Sequence, residues 1–322
     1  MKNYLVTGGA GFIGSHLTEA LLRTGNNVTV IDDLSTGRWE NIAALESGFP
    51  ANRFRAIIAS VDDSRLMNQE VPKHDFVYHL ASAVGVKLII DRPVETVQRI
   101  VRTTDTLVEF CARYRRPLLL TSTSEVYGKS EAVPFQEEND VVMGSTSKRR
   151  WAYAAAKMLD EFLVLAHHYQ SSLPVYIVRL FNTVGQRQSG QYGMVLPRFV
   201  AAAKRNQPLE IYGDGNQQRC FCSVLDVVDA LLRFPVTPQA IGRVVNLGSN
   251  EEISIKKLAE RVISILGSQS TMVYVPYEDA YGPGFDDMRR RIPDLRRAKE
   301  LLGWTPKISL DEIIRSLYTH HT

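Results

Sequence analysis

Residues 4–14 of the chain, YLVTGGAGFIG, combine a short strand pattern with a glycine-rich turn and the start of a helix. Gly8, Gly11 and Gly14 form a G-x-x-G-x-x-G pattern, and a helix-like stretch follows at residues 12–23. In such a turn the first glycine permits a sharp bend, the second lets the backbone approach a phosphate, and the third allows close packing of helix on strand. Free N–H groups at the helix start then face the anion. The segment therefore predicts a dinucleotide-binding turn.

A carboxylate at the end of the second predicted strand supports this prediction. Residues 28–31 are strand-like, and Asp32 follows, 18 residues after Gly14. A carboxylate there can accept hydrogen bonds from an adenosine ribose and would repel a 2′-phosphate, so NAD is favoured over NADP. Asp62, after the third predicted strand, is a candidate adenine contact or only a helix cap. The remaining cofactor-binding residues that we expect are Phe12, Ile13, Leu80, Tyr153 and Lys157.

Apolar strands alternate with helix-like segments through the first half of the chain. Strands are predicted at residues 4–7, 28–31, 54–58, 76–80, 118–121 and 175–180, and helices at 12–23, 95–113 and 150–169. Continuous apolar strands separated by helices are typical of a parallel sheet covered on both faces. After residue 185 the segments shorten, Gly and Pro become frequent, and amphipathic helices are predicted at 255–266 and 295–302.

This pattern predicts an α/β protein with a Rossmann-like, doubly wound parallel sheet. We expect residues 1–183 to form the NAD-binding domain, with some later segments returning to it. Residues 184–322 would form mainly a smaller C-terminal α/β domain that binds the substrate. A chain of 322 residues is long enough for both units.

Composition excludes several classes of function. The hydrophobic fraction of 44% and the charged fraction of 23% are ordinary for a globular protein, and a net charge of +3 gives no nucleic-acid footprint. Three cysteines form no disulfide framework, and Cys220 and Cys222 have neither redox nor zinc-site spacing, so we expect no metal. The first glycine comes too early for a signal peptide, and no run approaches ~18 apolar residues. We therefore expect a cytoplasmic protein without a membrane span.

Tyr153 and Lys157 are the candidate catalytic pair. They lie four residues apart on a helix-like stretch, so both side chains project from one face. A tyrosine ordinarily titrates near ~10, but an ammonium group and a positively charged nicotinamide both favour the phenolate. Such a spacing is common by chance and usually marks a surface pair. After a dinucleotide-binding turn, it predicts that Tyr153 is a catalytic base supported by Lys157.

The chain resembles the extended short-chain dehydrogenases/reductases that act on nucleotide sugars, over essentially its whole length. Besides the glycine turn and the Tyr–Lys pair, the resemblance rests on residues 120–128 (LTSTSEVYG), 179–183 (RLFNT) and 212–219 (YGDGNQQR). It implies an NAD cofactor and a UDP-sugar substrate. It also implies that Asn182 and Arg219 contact the diphosphate of that substrate, a task that suits side chains donating in fixed directions.

Within this group the chain resembles the UDP-glucuronate decarboxylases, both the UDP-xylose synthases and the decarboxylase of the aminoarabinose pathway. Ser124 and Glu125 stand where sugar-nucleotide 4,6-dehydratases carry an Asp-Glu pair, and simple 4-epimerases usually lack the acid. Residues 111–116 (CARYRR), 150–153 (RWAY) and 281–293 (YGPGFDDMRRRIP) extend the likeness. In the last stretch, Arg291 falls on the active-site arginine of the decarboxylases, and Tyr281 is a candidate substrate contact.

The resemblance implies a reaction in two stages. Tyr153 removes the proton of the sugar 4-hydroxyl as C4 gives hydride to NAD, and Thr123 holds the same oxygen. The resulting ketone lies β to the carboxylate, so loss of carbon dioxide gives an enolate. Glu125 and Arg291 act on the carboxylate and on the proton at C5, supported by Ser124. Return of hydride gives UDP-xylose, and release of the ketone gives a UDP-4-keto-pentose.

Two other activities stay open at this point. UDP-glucuronate 4-epimerases share much of this architecture, including the context at residues 150–153, and UDP-glucose is a further candidate substrate for such an epimerase. A non-catalytic dinucleotide sensor is the third hypothesis, although a sensor has no need of the base at Tyr153. The resemblance further implies a homodimer, in which the helices near residues 95–113 and 150–169 pack against their symmetry mates.

Overall fold

The computed structural model describes residues 1–82, 92–188, 194–281 and 288–320. The strands in chain order are β1 (Asn3–Thr7), β2 (Asn27–Asp32), β3 (Phe54–Ile58), β4 (Phe76–His79), β5 (Leu118–Thr123), β6 (Val175–Leu180), β7 (Thr183–Val184), β8 (Leu209–Tyr212), β9 (Gln218–Cys220), β10 (Cys222–Ser223), β11 (Arg243–Leu247), β12 (Glu252–Ser254), β13 (Met272–Val275) and β14 (Arg290–Arg291). The helices are α1 (Phe12–Arg23), α2 (Glu40–Gly48), α3 (Ser64–Glu70), α4 (Pro93–Tyr114), α5 (Trp151–Ser171), α6 (Val195–Lys204), α7 (Val224–Arg233), α8 (Ile255–Leu266), α9 (Tyr277–Tyr281), α10 (Arg296–Leu302) and α11 (Leu310–His320).

Seven strands form one parallel sheet in the order β11-β6-β5-β4-β1-β2-β3. The sheet grows in one direction from β1 to β3 and in the other from β4 to β11. In open α/β sheets a binding crevice forms where the direction reverses, outside the carboxyl ends of the strands. This point lies between β1 and β4, beside the glycine turn.

Both faces of the sheet are covered, because successive side chains of a strand point to opposite sides. Val6 of β1 belongs to a core that contains Leu17 and Leu21 of α1. Leu5, the preceding residue, belongs to a core on the other face with Leu107 of α4. This arrangement confirms the predicted doubly wound α/β fold.

Two later segments return to the sheet. β11 adds the last strand beside β6, with Val245 opposite Val178. α7 packs on α1, and the Trp304 indole donates to the Asp226 carbonyl at 2.9 Å, so the C-terminal region is tied to this helix. β11 and α7 are not among the predicted elements, although we expected some later segments to return to the NAD-binding domain.

A second core lies outside the sheet and joins α6, α8 and α11 to β8. Its fully buried members include Phe199, Ile211, Leu258 and Ile314. Three small sheets accompany it: β10 with β7, β13 with β8, and β12-β9-β14. The division into residues 1–183 and 184–322 stays a proposal, with this core at the centre of the second unit.

Element boundaries differ from prediction mainly where polar residues continue an element. β5 runs to Thr123, two residues beyond the predicted end, and so carries Ser122 and Thr123 to the sheet edge. α4 begins at Pro93. The first N–H groups of a helix have no acceptor within the helix, so proline, which lacks an N–H, costs no hydrogen bond there.

All three cysteines are buried and free. Within the described ranges no helix is long and apolar enough to cross a membrane, and no group of three candidate metal ligands occurs.

Candidate active site

A cavity of about 450 Å³ opens at the carboxyl ends of the central strands. One end lies against the glycine turn and β2, and the other reaches β9 and β14. The predicted site residues that line it are Gly8, Gly11, Phe12, Ile13, Gly14, Asp32, Leu80, Thr123, Ser124, Glu125, Tyr153, Asn182, Arg219 and Arg291. Asp62 and Lys157 lie elsewhere in the described part of the chain. Tyr281 ends α9, and its side chain lies outside what the structure describes.

The glycine turn has the close approaches that the sequence pattern predicts. Gly8 has φ +73°, and a Cβ there would lie 2.6 Å from the Ala81 nitrogen. A Cβ at Gly14 would overlap the Gly8 carbonyl oxygen. Gly11 precedes α1 and offers no side-chain cap, so the first N–H groups of the helix stay available for an anion. The turn fits the pyrophosphate of a dinucleotide.

Substitution of Gly14 by Ala tests this close packing. The added methyl group forces the turn away from α1, so we expect the dissociation constant for NAD to rise more than tenfold. Overpacking of this kind also costs about 1–3 kcal/mol in the free energy of unfolding. Calorimetric titration with NAD and denaturant unfolding measure the two effects. The control is Gly48→Ala, since a Cβ at Gly48 meets nothing within 4 Å and leaves the turn untouched. An unchanged NAD affinity in Gly14→Ala contradicts the assignment.

Asp32 fixes the turn to the end of β2. Its two carboxylate oxygens accept from the backbone N–H groups of Ala10 at 2.9 Å and Leu34 at 2.8 Å. Burial raises the pKa of Asp32, and these two N–H groups partly oppose the increase. The carboxylate therefore faces the cavity in a preset orientation, as a ribose contact requires. Asp33, the next residue, instead forms an ion pair with Arg99 of α4, which also lines the cavity.

Asp62 is exposed, and the cap of α3 is its neighbour Asp63, which accepts from the N–H groups of Arg65 at 2.9 Å and Leu66 at 3.1 Å. An adenine contact by Asp62 stays a prediction. Leu80 continues β4, and its backbone passes directly beneath Gly8. Taken together, the turn, Asp32 and Leu80 form a cradle whose shape and donors fit NAD.

Tyr153 of α5 and Thr123 of β5 meet at the middle of the cavity wall, where the two hydroxyl groups are hydrogen-bonded. Burial raises the pKa of Tyr153, the charge of Glu125 raises it further, and the hydrogen bond to Thr123 partly offsets both effects. Lys157 is buried behind this wall, one turn along α5. Its ammonium group pairs with Asp160 at 2.9 Å, a partner that is not among the predicted site residues.

Glu125 lies between two arginines at the same part of the wall. Arg291 donates to Glu125 Oε1, and Arg150 approaches Oε2 at 3.1 Å. Burial alone would raise the pKa of Glu125. This effect is outweighed by three positive charges, which lower the pKa to about 2: Arg150, Arg291 and Arg219. Glu125 is therefore ionised at neutral pH. Ser124, beside it, is 1% exposed.

Arg150 is not among the predicted site residues, although its side chain completes this cluster. It immediately precedes α5 and lies three residues before Tyr153, and this position was the one signal in the sequence that could have identified it. The arginine is buried, with its guanidinium over the Trp151 ring at 5.4 Å.

Asn182 and Arg219 complete the far end of the cavity. Asn182 accepts from Arg291 through Oδ1 and donates through Nδ2 to the Cys220 carbonyl at 2.9 Å. Arg219 of β9 stands opposite Arg291 of β14 in the strand register, and its side chain is buried. The two arginines thus give this end a positive charge, which suits a diphosphate or a carboxylate.

This geometry agrees with the comparisons. The sequence description of the GDP-mannose 4,6-dehydratase family matches residues 5–317. The chain belongs to this family. It is similar to the UDP-N-acetyl-alpha-D-glucosaminuronate decarboxylase of Bacillus cytotoxicus, with 38% identity over 97% of this chain and 95% of the relative. UDP-glucuronic acid decarboxylase 1 of Danio rerio is 35% identical over 97% of this chain and 70% of the relative.

The fold is shared with a solved nucleotide-sugar enzyme. The UDP-glucuronic acid 4-epimerase of Bacillus cereus, solved in complex with UDP-glucuronic acid and NAD, superposes with a TM-score of 0.87 at 28% identity. The match covers 99% of this chain and 98% of that one. Family membership confirms the expectation of an NAD-dependent nucleotide-sugar enzyme of the extended short-chain dehydrogenase/reductase type.

Proposed function

We propose that the enzyme oxidises C4 of UDP-glucuronic acid and then removes the sugar carboxylate as carbon dioxide. The observation that carries this proposal is the ionised Glu125 held by Arg291 beside Tyr153 in one cavity. A base alone would serve any C4 oxidation. Next to the base, Arg291 supplies a group that can bind the carboxylate of a uronate, and Glu125 supplies a negative charge that repels this carboxylate. The decarboxylase names of the relatives support the same reaction.

In the first stage Tyr153 takes the proton of the sugar 4-hydroxyl, and Thr123 holds that oxygen through its hydroxyl group. NAD, when bound against the glycine turn and Asp32, supplies the acceptor for the C4 hydride and can return it. Lys157, one helical turn behind Tyr153, supplies a positive charge that favours the phenolate. Asn182 and Arg219 hold the diphosphate, so the sugar is oriented before the proton moves.

In the second stage the C5–C6 bond breaks, and its electron pair moves through C5 to the C4 ketone oxygen as an enolate. Arg291 binds the departing carboxylate. Glu125, ionised and 14% exposed, opposes the carboxylate charge and so favours neutral carbon dioxide as the product. Its charge also prevents it from giving a proton to C5. We assign that proton to water held by Arg291, with Ser124 supporting the network.

A 4-epimerase is the second candidate function, because the Bacillus cereus 4-epimerase shares the fold over nearly the whole chain. Its reaction retains the carboxylate and returns hydride to the other face of C4. The Bacillus cytotoxicus relative further raises UDP-N-acetylglucosaminuronate as a substrate, which differs from UDP-glucuronate at C2.

Incubation of the purified protein with three UDP-sugars separates these functions. UDP-glucuronate, UDP-N-acetylglucosaminuronate and UDP-glucose are each supplied with NAD, and products are identified by mass and NMR. We expect loss of one carbon dioxide from UDP-glucuronate. Loss only from the N-acetylated uronate would keep the reaction and change the substrate. An unchanged mass with inverted C4 would replace decarboxylation by epimerisation.

We also propose that the enzyme is a homodimer formed through α4 and α5. Leu107 and Val108 of α4 are fully buried against the sheet and are not available to a partner. On α5, however, Leu159 is 50% exposed and Phe162 is 64% exposed. Residues three apart share one face of a helix, so these two side chains form an apolar patch that a second copy can cover.

Substitution of Phe162 by Glu is expected to convert the dimer to a monomer. Burying one large apolar side chain contributes about 1.5–3 kcal/mol, and the variant places two charges at a symmetric contact instead. Light scattering after size-exclusion chromatography measures the mass. Val236→Glu is the control, because Val236 is also a well-exposed apolar residue, at 74%, and lies outside α4 and α5. A monomeric wild-type protein would end this proposal.

A further inference from the structure

Asp160 is a buried carboxylate in the catalytic helix that no step above uses. Its Oδ2 lies 2.9 Å from the ammonium nitrogen of Lys157, and the two side chains are 0% and 2% exposed. A buried ion pair holds its members in a fixed geometry, because separating them leaves an uncompensated charge. Lys157 is therefore held by a residue that, like Lys157 itself, does not line the cavity and that lies three residues further along α5.

The elements packed against Asp160 offer it polar groups but no second cation among the described residues. Burial raises the pKa of Asp160, and the charge of Glu161 adds to this increase, whereas the Lys157 ammonium group and the Thr104 hydroxyl of α4 oppose it. On β4, the His79 ring bridges Thr104 Oγ1 at 3.2 Å and Thr7 Oγ1 at 2.7 Å. Burial, followed by the charge of Lys157, lowers the pKa of His79 to about 3, so the ring is neutral. Lys157 is thus the charged partner of Asp160 on this side.

The next residue on α5 has a different role. Glu161 is occupied by Arg179, which donates to both of its carboxylate oxygens at 2.7–3.2 Å, and by the Ser122 hydroxyl. Asp160 and Glu161 therefore form two separate pairs. The first pair adjoins the catalytic lysine, and the second connects α5 to β6.

The charged groups that act on the Tyr153 phenol come from three elements. Glu125 follows β5, Arg291 lies on β14, and Asp160 shares α5 with the tyrosine. Glu125 and Asp160 raise the pKa of Tyr153, and Arg291 lowers it. The Asp160 carboxylate thus acts on the phenol and is at the same time fixed 2.9 Å from the ammonium nitrogen of Lys157.

We propose that Asp160 is a positioning residue that holds Lys157 in place and sets the strength of Tyr153 as a base. By offsetting the ammonium charge, it keeps the phenol a stronger base than lysine alone would allow. By fixing the ammonium nitrogen, it keeps that charge one helical turn from the phenol. The proposal rests on the oxidation step of the proposed function, which decarboxylation and epimerisation share, and not on the fate of the ketone.

The sign of the effect follows from charge alone. Removing a negative charge lowers the proton affinity of every nearby group, so Asp160→Asn should lower the pKa of Tyr153. The charge of Asp160 acts on the Tyr153 phenol, and a neighbouring charge typically shifts a pKa by about 1 unit or more. Asp160→Glu retains the charge and should leave the pKa near that of the wild type, even where the longer side chain slows the reaction.

The titration of Tyr153 is measured directly by NMR in NAD-loaded protein labelled with ¹³C at the tyrosine ring carbon that bears oxygen. The Tyr153 signal is assigned by its loss in Tyr153→Phe. We expect the midpoint to fall by about 1 pH unit in Asp160→Asn. The control is Asp229→Asn, which removes an acid from a surface pair with Arg233 at 2.8 Å on α7. If Asp160→Asn does not fold, Asp160→Ser takes its place, because it removes the charge and leaves space for water.

The proposal is overturned if the Tyr153 midpoint in folded Asp160→Asn equals that of the wild type. It is also overturned if Tyr153 stays protonated over the same pH range in both proteins. This result needs no sugar, so it is independent of which substrate the enzyme uses. With an active substrate, the acid limb of kcat/KM should move to lower pH in the same variant. A uniform loss of activity without movement of that limb would mean that Asp160 only maintains the fold.

Discussion

Tyr153→Phe is expected to lower the rate at which a UDP-uronate reduces bound NAD by about 10²–10⁴-fold. The substitution removes one oxygen and keeps the ring that lines the cavity wall. Thr123 then has no partner at that position, and its own hydroxyl cannot replace the phenolate because it holds its proton far more strongly. Since every later step needs the C4 ketone, release of carbon dioxide should fall by the same factor. Single-turnover measurements of NADH absorbance and of carbon dioxide test both statements.

Tyr127→Phe is the matched control for this experiment. The Tyr127 hydroxyl is also buried, but it donates to Asn246 Oδ1 of β11 at 2.8 Å, and Tyr127 does not line the cavity. Its loss should cost about 1 kcal/mol in the free energy of unfolding and leave NAD reduction unchanged. If Tyr153→Phe reduces NAD at the wild-type rate, a different group is the base, and the oxidation mechanism proposed here fails.

The fold was predictable where one local pattern specifies one element. The strand, glycines and helix of residues 4–23 lie where the sequence places them, because each glycine requirement is met within a few residues. β11 was not predictable in the same way. Arg243–Leu247 is a short apolar run like many others, and its membership of the sheet depends on pairing with β6, more than sixty residues earlier.

In the candidate site, too, the residues that belong to a local motif could be predicted, and their contacts with other elements could not. The cavity brings Thr123, Tyr153 and Glu125 together, as the motifs led us to expect. The partners of these residues were not predictable, because they depend on side-chain contacts between elements. Arg150 contacts Glu125 from the start of α5. Asp160 pairs with Lys157 three residues earlier on the same helix, but an acid at this spacing could equally point to solvent.

Arg291→Gln should separate the two stages of the reaction. Oxidation of C4 needs the base and the cofactor, so reduction of NAD should continue at close to the wild-type rate. The carboxylate then lacks its binding group, and we expect release of carbon dioxide to fall about 10²-fold or more, comparable to loss of one fixed donor in other enzymes. NADH should accumulate while the uronate keeps its mass. Arg290→Gln is the control, because Arg290 is 51% exposed and pairs with Glu252 outside the cavity.

Glu125→Gln tests the other half of the pair and distinguishes binding from charge. Arg291→Gln leaves Glu125 within 3.1 Å of Arg150, whereas Glu125→Gln takes the carboxylate from both the buried Arg150 and the largely buried Arg291. We therefore expect the glutamine at 125 to cost about 3 kcal/mol in the free energy of unfolding, more than the substitution at 291. It should still oxidise C4, and it should bind the uronate more tightly because an opposing charge is gone, yet release carbon dioxide slowly. If both variants lose carbon dioxide at the wild-type rate, the pair has no part in the second stage, and a reaction that retains the carboxylate becomes the better account of this cavity.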